Sequence, residues 1–521
     1  MKLNVQDSFN KELPADPILE NSIRQVSKSC FSFVNPKKTK NPSLVHSSIE
    51  VQELLGINKK EVDSQSFTEI FTGNKILKNT KPFAMCYGGY QFGNWAGQLG
   101  DGRAINLAEI EHNNLSWAIQ LKGAGETPYS RTADGLAVLR SSVREYLCSE
   151  AMFHLGVPTT RALSLALTGD QVLRDILYDG NQGYEKGAIV CRVAPSFLRF
   201  GSFEIFAVKN EIDTLKTLVD YTIKQFYPKL GIPSKSIYLQ FFKEVASKTL
   251  NMIIHWQRVG FVHGVMNTDN LSILGLTIDY GPYGWLEGYD HNWTPNTTDL
   301  QHKRYRYGNQ PNIGLWNLLQ LANALYALIE ETSGLESILD EYKTEYEQKN
   351  LQMMRSKLGL ILKEKSDNEL IEVLENLLHQ SETDMTIFYR KLADLNKEDS
   401  PETALQKINF SFYQPLEIVD TIERKWLLWL GSYLNRILRE TLTNSDRKTA
   451  MNLTNPKYVL RNYMAQLAIE AADKGNYNII DELYKLLKNP YDEQKKSEKW
   501  FAKRPDWAKN KIGCSMLSCS S

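Results

Sequence analysis

The chain carries no excess charge of either sign. Its 521 residues include 61 Lys and Arg and 61 Asp and Glu, which gives a formal net charge of zero. A balanced composition offers no bulk electrostatic reason to bind nucleic acid or an anionic membrane surface. We therefore expect no nucleic-acid partner, and any recognition of phosphate must come from a local cluster of cationic side chains.

Cysteine pairs and long apolar runs are also lacking. The six Cys residues show no C-x-x-C spacing, and no H-E-x-x-H motif is present, which argues against the common zinc sites and suits a reducing compartment. The longest apolar run, "LWNLLQLANALYALI" at 315–329, carries Asn and Gln and falls short of the roughly 18 residues of a membrane span, so it predicts a buried helix. The N-terminus has no signal-peptide or transit-peptide pattern, and we expect a cytoplasmic protein without a membrane partner.

The sequence predicts regular secondary structure from residue 81 onward. The Gly-dense "YGGYQFGNWAGQLGDGRAINLAEI" and the alternating "LSWAIQLKGAG" predict strands, and "TTRALSLALTG" and "GAIVCRVA" predict two more. Between them, Leu139, Val143, Leu147 and Ala151 form one stripe of a helix that stops at Gly156. After about residue 200 the pattern is mostly helical.

The segment "HGVMNTDNLSILGLTIDYG" at 263–281 has the spacing of a protein kinase catalytic loop followed by its metal-binding motif. His263 and Asn270 stand at the expected positions, and Asp279 begins an Asp-x-Gly triplet. The position of the kinase general base, however, holds Val265. Asp269 is next to Asn270, so one side chain can face a metal while the other faces an incoming hydroxyl, and the base is then relocated rather than lost. We expect His263 to brace the backbone.

The predicted order is a Gly-rich strand, a strand that ends in Lys, and a helix, which is the order in a kinase N-lobe. If the chain has that lobe, further side chains complete a nucleotide site. Lys122 ends a strand and Glu145 lies on the following helix, where a kinase places its phosphate-binding ion pair; two unrelated surface charges are the alternative. Gly97, Gly100 and Gly102 permit close approach of phosphate, with Arg103 next to them, or they form a simple hairpin.

Three further groups of residues allow two interpretations each. Asp134, followed by Gly135, either caps the helix or contacts nucleotide. Arg192 and Arg199 offer planar forks for phosphate or form ordinary salt bridges. Asn270 and Asp279 supply hard oxygen ligands suited to Mg²⁺, with Mn²⁺ as an alternative, or hydrogen bonds within the loop.

These patterns predict an α+β, protein-kinase-like two-lobed fold with extensions at both ends. The residues before 81 are polar and punctuated by Pro, which predicts loops that wrap the lobes rather than build one. The polar end of the chain is expected to lie on the surface. The expected segments are an N-terminal extension at 1–80, an N-lobe at 81–195, a C-lobe with the catalytic and metal loops at 196–350, a helical extension at 351–490 and a Cys-containing tail at 491–521.

Four stretches resemble signatures of the selenoprotein O family of pseudokinase-fold protein adenylyltransferases: "YGGYQFGNWAGQLGDGRAI", "HGVMNTDNLSILGLTIDYGP", "RYRYGNQPNIGLWNL" and "NPKYVLRNYMAQLAI". The resemblance runs from about residue 30 to the C-terminus. It implies an enzyme that binds ATP in an inverted pose and transfers AMP to Ser, Thr or Tyr hydroxyls of proteins, with the chain itself as one candidate acceptor. It also implies nucleotide contacts at Gly100, Gly102, Arg103, Lys122, Asp134, Gly135, Arg192, Arg199 and Asp279, metal ligands at Asn270 and Asp279, Asp269 as proton acceptor and Glu145 as the partner of Lys122.

The chain departs from the family pattern at three places. Tyr90 stands where "GGHQFG" commonly has His, and "NTTDLQHKRYRY" is looser than the usual "NHSDxxGRYSY". Some members carry selenocysteine near the C-terminus, where this chain has Cys519, so a redox role of the tail is in doubt. Two other functions remain open at this point: a phosphotransferase with a relocated base, and a nucleotide-binding scaffold without activity.

Overall fold

The N-terminal half of the chain is built on an antiparallel sheet, and the computed structural model describes residues 3–176 and 179–518. The strands are β1 (Asn4–Val5), β2 (Phe31–Phe33), β3 (Ser43–Ser47), β4 (Phe83–Met85), β5 (Gly88–Gln91), β6 (Asn94–Gln98), β7 (Ala104–His112), β8 (Leu115–Lys122), β9 (Arg161–Asp175) and β10 (Gln182–Ala194). The sheet has the order β2-β4-β7-β8-β10-β9-β3, with β1 added to β7. Strands β5 and β6 form a separate hairpin.

Helices cover both faces of this sheet. The side chains of β10 alternate between them: Ile189, Cys191 and Val193 pack into one core, and Ala188 and Val190 into the other. The first core also contains residues of α2, α3 and α4, and the second those of α5. The helices of this half are α1 (Ser8–Glu12), α2 (Ile49–Leu54), α3 (Lys59–Val62), α4 (Gln65–Phe71) and α5 (Leu139–His154).

Residues 1–80 therefore build part of the N-terminal lobe. They contribute strands β1, β2 and β3 to the sheet and helices α2 to α4 to one of its faces. The expectation that they wrap the lobes without building one is wrong. Strands of two to five residues are too short to show an alternating pattern, and their pairing partners lie far along the chain.

The C-terminal half is helical, as predicted. Two short strands, β11 (Phe261–Val262) and β12 (Gly284–Trp285), pair across the catalytic loop. The run at 315–329 lies within α9 and is largely buried. The helices are α6 (Phe200–Val208), α7 (Ile212–Phe226), α8 (Lys235–Val259), α9 (Gln310–Ile329), α10 (Thr332–Leu358), α11 (Asp367–Gln380), α12 (Met385–Leu392), α13 (Pro401–Ile408), α14 (Asp420–Leu438), α15 (Asn444–Thr454), α16 (Asn462–Asp473) and α17 (Asn478–Leu487).

Local sequence explains the main elements. The predicted stripe of α5 is buried along its length, and the helix ends two residues before Gly156. Helix α8 begins after Ser234, whose side chain accepts a hydrogen bond from the Ile237 amide, and ends at Gly260, which has a φ of 72°. The result is a β-rich N-lobe with a large helical C-terminal part, consistent with the predicted kinase-like fold. No helix within the described ranges is both long and apolar enough to cross a membrane.

The end of the chain packs into the structure instead of lying on it. Cys514 and Leu517 are buried, the Cys514 carbonyl accepts a hydrogen bond from Asn462 Nδ2 at 2.8 Å, and Leu517 bridges to Asn296. The prediction of a surface tail is wrong for these residues. Cys519, which the sequence singled out, lies outside the described residues.

A buried ion pair joins two parts of the helical extension. Arg461, which precedes α16, donates from Nη1 and Nη2 to the two Asp384 oxygens at 2.7 and 2.9 Å. Asp384 also caps α12 by accepting from the Ile387 amide at 3.0 Å. Both side chains are almost fully buried.

We expect Asp384→Ala to lower the free energy of unfolding by about 3–5 kcal/mol, because it leaves the Arg461 charge buried without a partner. Thermal and urea unfolding followed by circular dichroism measure the change. Asp340→Ala is the matched control, since Asp340 is 75% exposed in its side chain and pairs only with Lys343 on the surface. Equal unfolding midpoints for the two variants would contradict the assignment.

Candidate active site

The predicted pair of Lys122 and Glu145 forms. Lys122 is at the end of β8 and Glu145 is in the middle of α5, and Lys122 Nζ lies 2.6 Å from Glu145 Oε2. Both residues are buried. Burial lowers the pKa of Lys122, and the Glu145 carboxylate acts against that shift. The structure thus places a lysine with its counter-ion where strand β8 ends.

Asp279 lies at the centre of three cationic side chains. Arg192 Nη1 is 2.6 Å from Asp279 Oδ1, Arg199 Nη1 bonds to Oδ2, and Lys122 Nζ is 3.8 Å from Oδ1. Burial raises the pKa of Asp279, but the Arg199, Arg192 and Lys122 charges outweigh it and hold this pKa well below its usual range. Asp279 is therefore ionised, and it has a left-handed backbone with φ 55°. We call Lys122, Arg192, Arg199 and Asp279 the cationic cage.

The two arginines of the cage are held by further contacts. Arg192 on β10 also lies 3.1 Å from Glu145 Oε1 and bonds to the Gln120 side chain. Arg199, just before α6, stacks on Tyr87 at 4.4 Å from the ring centroid and lies 3.9 Å from Asp101 Oδ1. Each guanidinium is thus fixed on more than one side.

Asp101 and Gln120, which the sequence did not predict, support the cage. Asp101 Oδ2 accepts hydrogen bonds from the Met85 amide and from Asn106 and Gln120, at 3.0 to 3.3 Å. Gln120 in turn orients Arg192. Gln120 is in strand β8, and Asp101 is in the loop between β6 and β7. Their partners lie elsewhere in the lobe, so neither position carries a local signal in the sequence.

The catalytic loop is braced as predicted. His263 Nε2 lies 2.9 Å from the Ile278 carbonyl, and the Val265 amide donates to His263 Nδ1 at 3.4 Å. Burial lowers the pKa of His263, so the ring is neutral. Asn270 Nδ2 donates to the Val265 carbonyl at 3.0 Å, and no hydrogen bond from the described residues reaches Asn270 Oδ1. That oxygen is free to bind a cation.

Asp269 faces a different partner from Asn270. Its Oδ2 accepts a weak hydrogen bond from Gln91 Nε2 at 3.3 Å, and its buried Oδ1 has no hydrogen-bond partner among the described residues. Burial raises the pKa of Asp269 to about 6, against the opposing effect of Arg199. Arg199 Nη1 also donates to the Asp269 carbonyl at 2.7 Å. A carboxylate with an unused oxygen therefore lies directly beside the cationic cage.

The hairpin of β5 and β6 covers this loop. The Tyr90 amide donates to Thr268 Oγ1 at 2.8 Å, and the Phe92 amide donates to Asn267 Oδ1 at 3.2 Å. A Cβ at Gly89 would lie 2.7 Å from Asp269 Oδ1, so only glycine permits this approach. The role of Gly89 was missed, although "GG" at 88–89 was a signal that could have found it.

A buried acid supports the loop from the opposite side. Thr268 Oγ1 donates to Glu204 Oε2 on α6 at 2.6 Å. Burial raises the pKa of Glu204 to about 8. Glu204 was not among the predicted residues, since an acid within an apolar helix gives no motif.

Gly100 and Gly102 are required by packing. Gly100 has a φ of 76°, and a Cβ there would overlap the Tyr129 ring; a Cβ at Gly102 would lie 2.9 Å from the Tyr129 carbonyl. Around Gly97, by contrast, no atom lies within 4 Å of such a Cβ. Contact of Gly100 and Gly102 with phosphate stays a prediction.

Asp134 does not cap α5. The helix begins at Leu139, and Asp134 instead forms a two-fold ion pair with Arg174, at 2.8 Å for each bond. The capping interpretation is therefore wrong. Gly135 has a φ of 67°, and a Cβ there would overlap the Gly125 carbonyl. The nucleotide contact predicted for Asp134 and Gly135 is not tested by this geometry.

Comparison with known proteins decides the family. The model of the family described as "Protein adenylyltransferase SelO" matches residues 17–488. The chain belongs to the SelO family. A relative from Flavobacterium johnsoniae named "Protein nucleotidyltransferase YdiU" is 62% identical over 519 residues, which cover 100% of this chain and 99% of the relative. Relatives of the same name from Rhodopirellula baltica and Aromatoleum aromaticum are 53% and 50% identical, each over 100% of this chain and 99% of their own length.

The packing of Gly100 against Tyr129 leads to a test. We expect Gly100→Ala to destabilise the N-lobe by more than about 1 kcal/mol, because the methyl group meets an aromatic ring and the φ is unfavourable. Gly97→Ala has the same sign of φ but open space, and serves as the control. Thermal unfolding measures both, and a Gly100→Ala variant as stable as Gly97→Ala would contradict the packing role.

Proposed function

We propose that this SelO-family chain transfers AMP from ATP to Ser, Thr or Tyr hydroxyls of proteins and releases pyrophosphate. The observation that carries the proposal is the position of Asp269, a carboxylate with an unused oxygen, next to a cage of three cations. Clustered guanidinium and ammonium groups suit the high negative charge of a polyphosphate and of a pyrophosphate leaving group.

The three cations of the cage bind the phosphates of ATP in place of the Asp279 carboxylate. Guanidinium groups bind phosphate oxygens with the same fork geometry that they use for carboxylate. As ATP binds, phosphate oxygens replace the Asp279 oxygens on Arg192 and Arg199, with Lys122 alongside. Arg103 is a further candidate, because it forms no ion pair with an acidic side chain within 3–176 and 179–518. In the inverted pose typical of the family, these cations hold the γ-phosphate end, and Gly100, Gly102, Asp134 and Gly135 hold the rest of the nucleotide.

Asn270 and Asp279 would hold a divalent cation, Mg²⁺ or Mn²⁺. The fit rests on the donor set: Asn270 Oδ1 accepts no hydrogen bond within the described ranges, and the carboxylate of Asp279 is ionised. Two protein oxygens are usual for Mg²⁺ that is bound together with phosphate. When bound, such an ion neutralises charge on the phosphates and on the leaving pyrophosphate.

The transfer itself is a displacement at the α-phosphorus. The acceptor hydroxyl takes the position of the Gln91 amide beside Asp269, and its proton passes to an Asp269 oxygen. The hydroxyl oxygen forms a bond to the α-phosphorus as the bond from that phosphorus to the bridging oxygen breaks. The electron pair leaves with pyrophosphate, which the cage cations stabilise. Val265 stands at the position of a kinase base, and its aliphatic side chain accepts no proton.

ATP labelled at the α or the γ position tests the reaction. We expect α-label, and not γ-label, to appear on a hydroxyl-bearing protein acceptor or on the chain itself. Asp279→Ala should abolish transfer, since a lost metal ligand and two unbalanced arginines remove several kcal/mol of transition-state stabilisation. Transfer of γ-label would establish a phosphotransferase, and no label with tight ATP binding would establish a scaffold.

Asp269→Asn should reduce transfer less than Asp279→Ala does. A general base typically contributes about 10² to 10⁴-fold, and the loose transition state of phosphoryl chemistry demands little of it. Single-turnover rates at saturating ATP and divalent cation, together with ATP affinity, separate the two roles. If Asp269→Asn weakened ATP binding and left the transfer rate intact, Asp269 would be a binding residue and not the base.

A further inference from the structure

A loop outside the cage is tied to the catalytic loop. Asp299, almost fully buried, accepts hydrogen bonds from the Arg304 amide at 2.9 Å and the Tyr305 amide at 2.7 Å. The Tyr305 hydroxyl donates to Asn267 Oδ1 at 2.5 Å and accepts from the Phe92 amide at 2.9 Å. The segment "KRYRY" at 303–307 takes no part in the proposed nucleotide site. These hydrogen bonds hold it against both the hairpin of β5 and β6 and the catalytic loop.

The guanidinium of Arg304 lies against two aromatic rings and near the Tyr305 hydroxyl. Its guanidinium carbon lies 4.6 Å from the centre of the Trp316 ring and 5.7 Å from that of Tyr305. Its Nε is buried without a hydrogen-bond partner, and Arg304 forms no ion pair with an acidic side chain in the part of the chain that the structure describes. Stacking fixes the plane of a guanidinium and leaves the N–H groups of its edge free for an anion.

Aromatic side chains extend this position toward Asp269. The Tyr90 ring lies 5.1 Å from Trp95 and 5.6 Å from Trp316, measured between ring centroids. All three are partly exposed. Partly exposed aromatic rings beside an arginine are the side chains that most often anchor a bound polypeptide. We call Tyr90, Trp95, Trp316 and Arg304 the acceptor face.

The hairpin gives the distance between the acceptor face and the base. Gly89 rests on Asp269, and the Cβ position of Gly93 lies 3.4 Å from the Arg304 guanidinium carbon. Gly89 and Gly93 are four residues apart along the chain, and strand β5 ends at Gln91, so the two positions are at most about 14 Å apart. The Gln91 side chain on Asp269 shortens the path. An extended acceptor segment parallel to the hairpin would span this distance with about two to four residues.

We propose that Arg304 binds an acidic side chain of the acceptor protein, two to four residues from the hydroxyl that receives AMP. The acceptor segment lies across the acceptor face, with its aromatic or aliphatic side chains on Tyr90, Trp95 and Trp316. This inference rests on the proposed function for the identity of the acceptor. It names the substrate class as acidic segments around Ser, Thr or Tyr.

Three synthetic peptides test the inference. They carry one Ser acceptor and differ only at the third residue from it, which is Asp, Asn or Lys. For the unchanged chain we expect kcat/KM for AMP transfer to be about tenfold higher with Asp than with Asn, the usual size of one charge-assisted contact. Arg304→Gln should remove this preference by raising KM for the Asp peptide alone, and Arg304→Glu should prefer the Lys peptide.

Arg306→Gln is the matched control. Arg306 lies in the same loop, and its Nη1 donates only to the Lys303 carbonyl at 3.1 Å, so this variant should keep the preference for Asp. Thermal unfolding midpoints equal to that of the unchanged chain show that the three variants fold. An unchanged preference in Arg304→Gln, or no preference in the unchanged chain, would overturn the inference.

Peptide binding separates this inference from the proposed function. Fluorescence anisotropy of labelled peptides, with ATP present, measures binding whether or not transfer occurs. A preference for the Asp peptide that depends on Arg304, without any transfer of α-label, would sink the proposed function and leave the acceptor face standing. Transfer of α-label to all three peptides, bound with equal affinity, would support the proposed function and overturn the inference about Arg304.

Discussion

The charge on Asp279 determines the state of the whole site. Three buried cations, Lys122, Arg192 and Arg199, face the carboxylates of Glu145, Asp279 and Asp101, and Arg199 also acts on the nearby Asp269. Buried charges are stable only when they have partners, and these cations already have carboxylate partners. A polyanion can enter only if it takes over some of these partners or brings cations of its own. In the proposed function, a nucleotide that arrives with a divalent metal ion would do both.

The same balance connects the two lobes. Arg192 belongs to the sheet and Arg199 begins α6, while Asp279 follows the catalytic loop. Their ion pairs, together with the Arg199 bond to the Asp269 carbonyl, join the lobes at the point where the reaction is proposed. The hairpin adds a second junction through Tyr90 and Thr268. Consecutive contacts therefore join the cage, the backbone of Asp269 and the hairpin.

The elements that the sequence predicted well are those with local causes. Helix α5 has apolar residues at helical spacing, which the sequence shows directly. The pair of Lys122 and Glu145 follows from the order of strands and helix along the chain. The failures have distant causes. Asp134 could not be separated from a helix cap because its actual partner, Arg174, lies 40 residues away on β9.

Packing against distant residues also hid the rest of the site. The need for glycine at Gly100 comes from Tyr129, and at Gly89 from Asp269, 180 residues further along the chain. A motif shows that a small residue is present, and only the folded chain shows which neighbour demands it. The strands of residues 1–80 were missed for the same reason, since pairing rather than composition makes them strands.

The backbone contacts of Val265 explain why an aliphatic side chain can stand at the position of a kinase base. At this position the amide bonds to His263 and the carbonyl to Asn270, and neither contact uses the side chain. The loop therefore keeps its shape with any residue that fits the buried space. A carboxylate at Asp269, by contrast, lies where the hairpin can cover it and Arg199 can hold its backbone. The carboxylate that the proposed function uses as proton acceptor thus lies four residues after Val265, in a loop whose shape does not depend on the Val265 side chain.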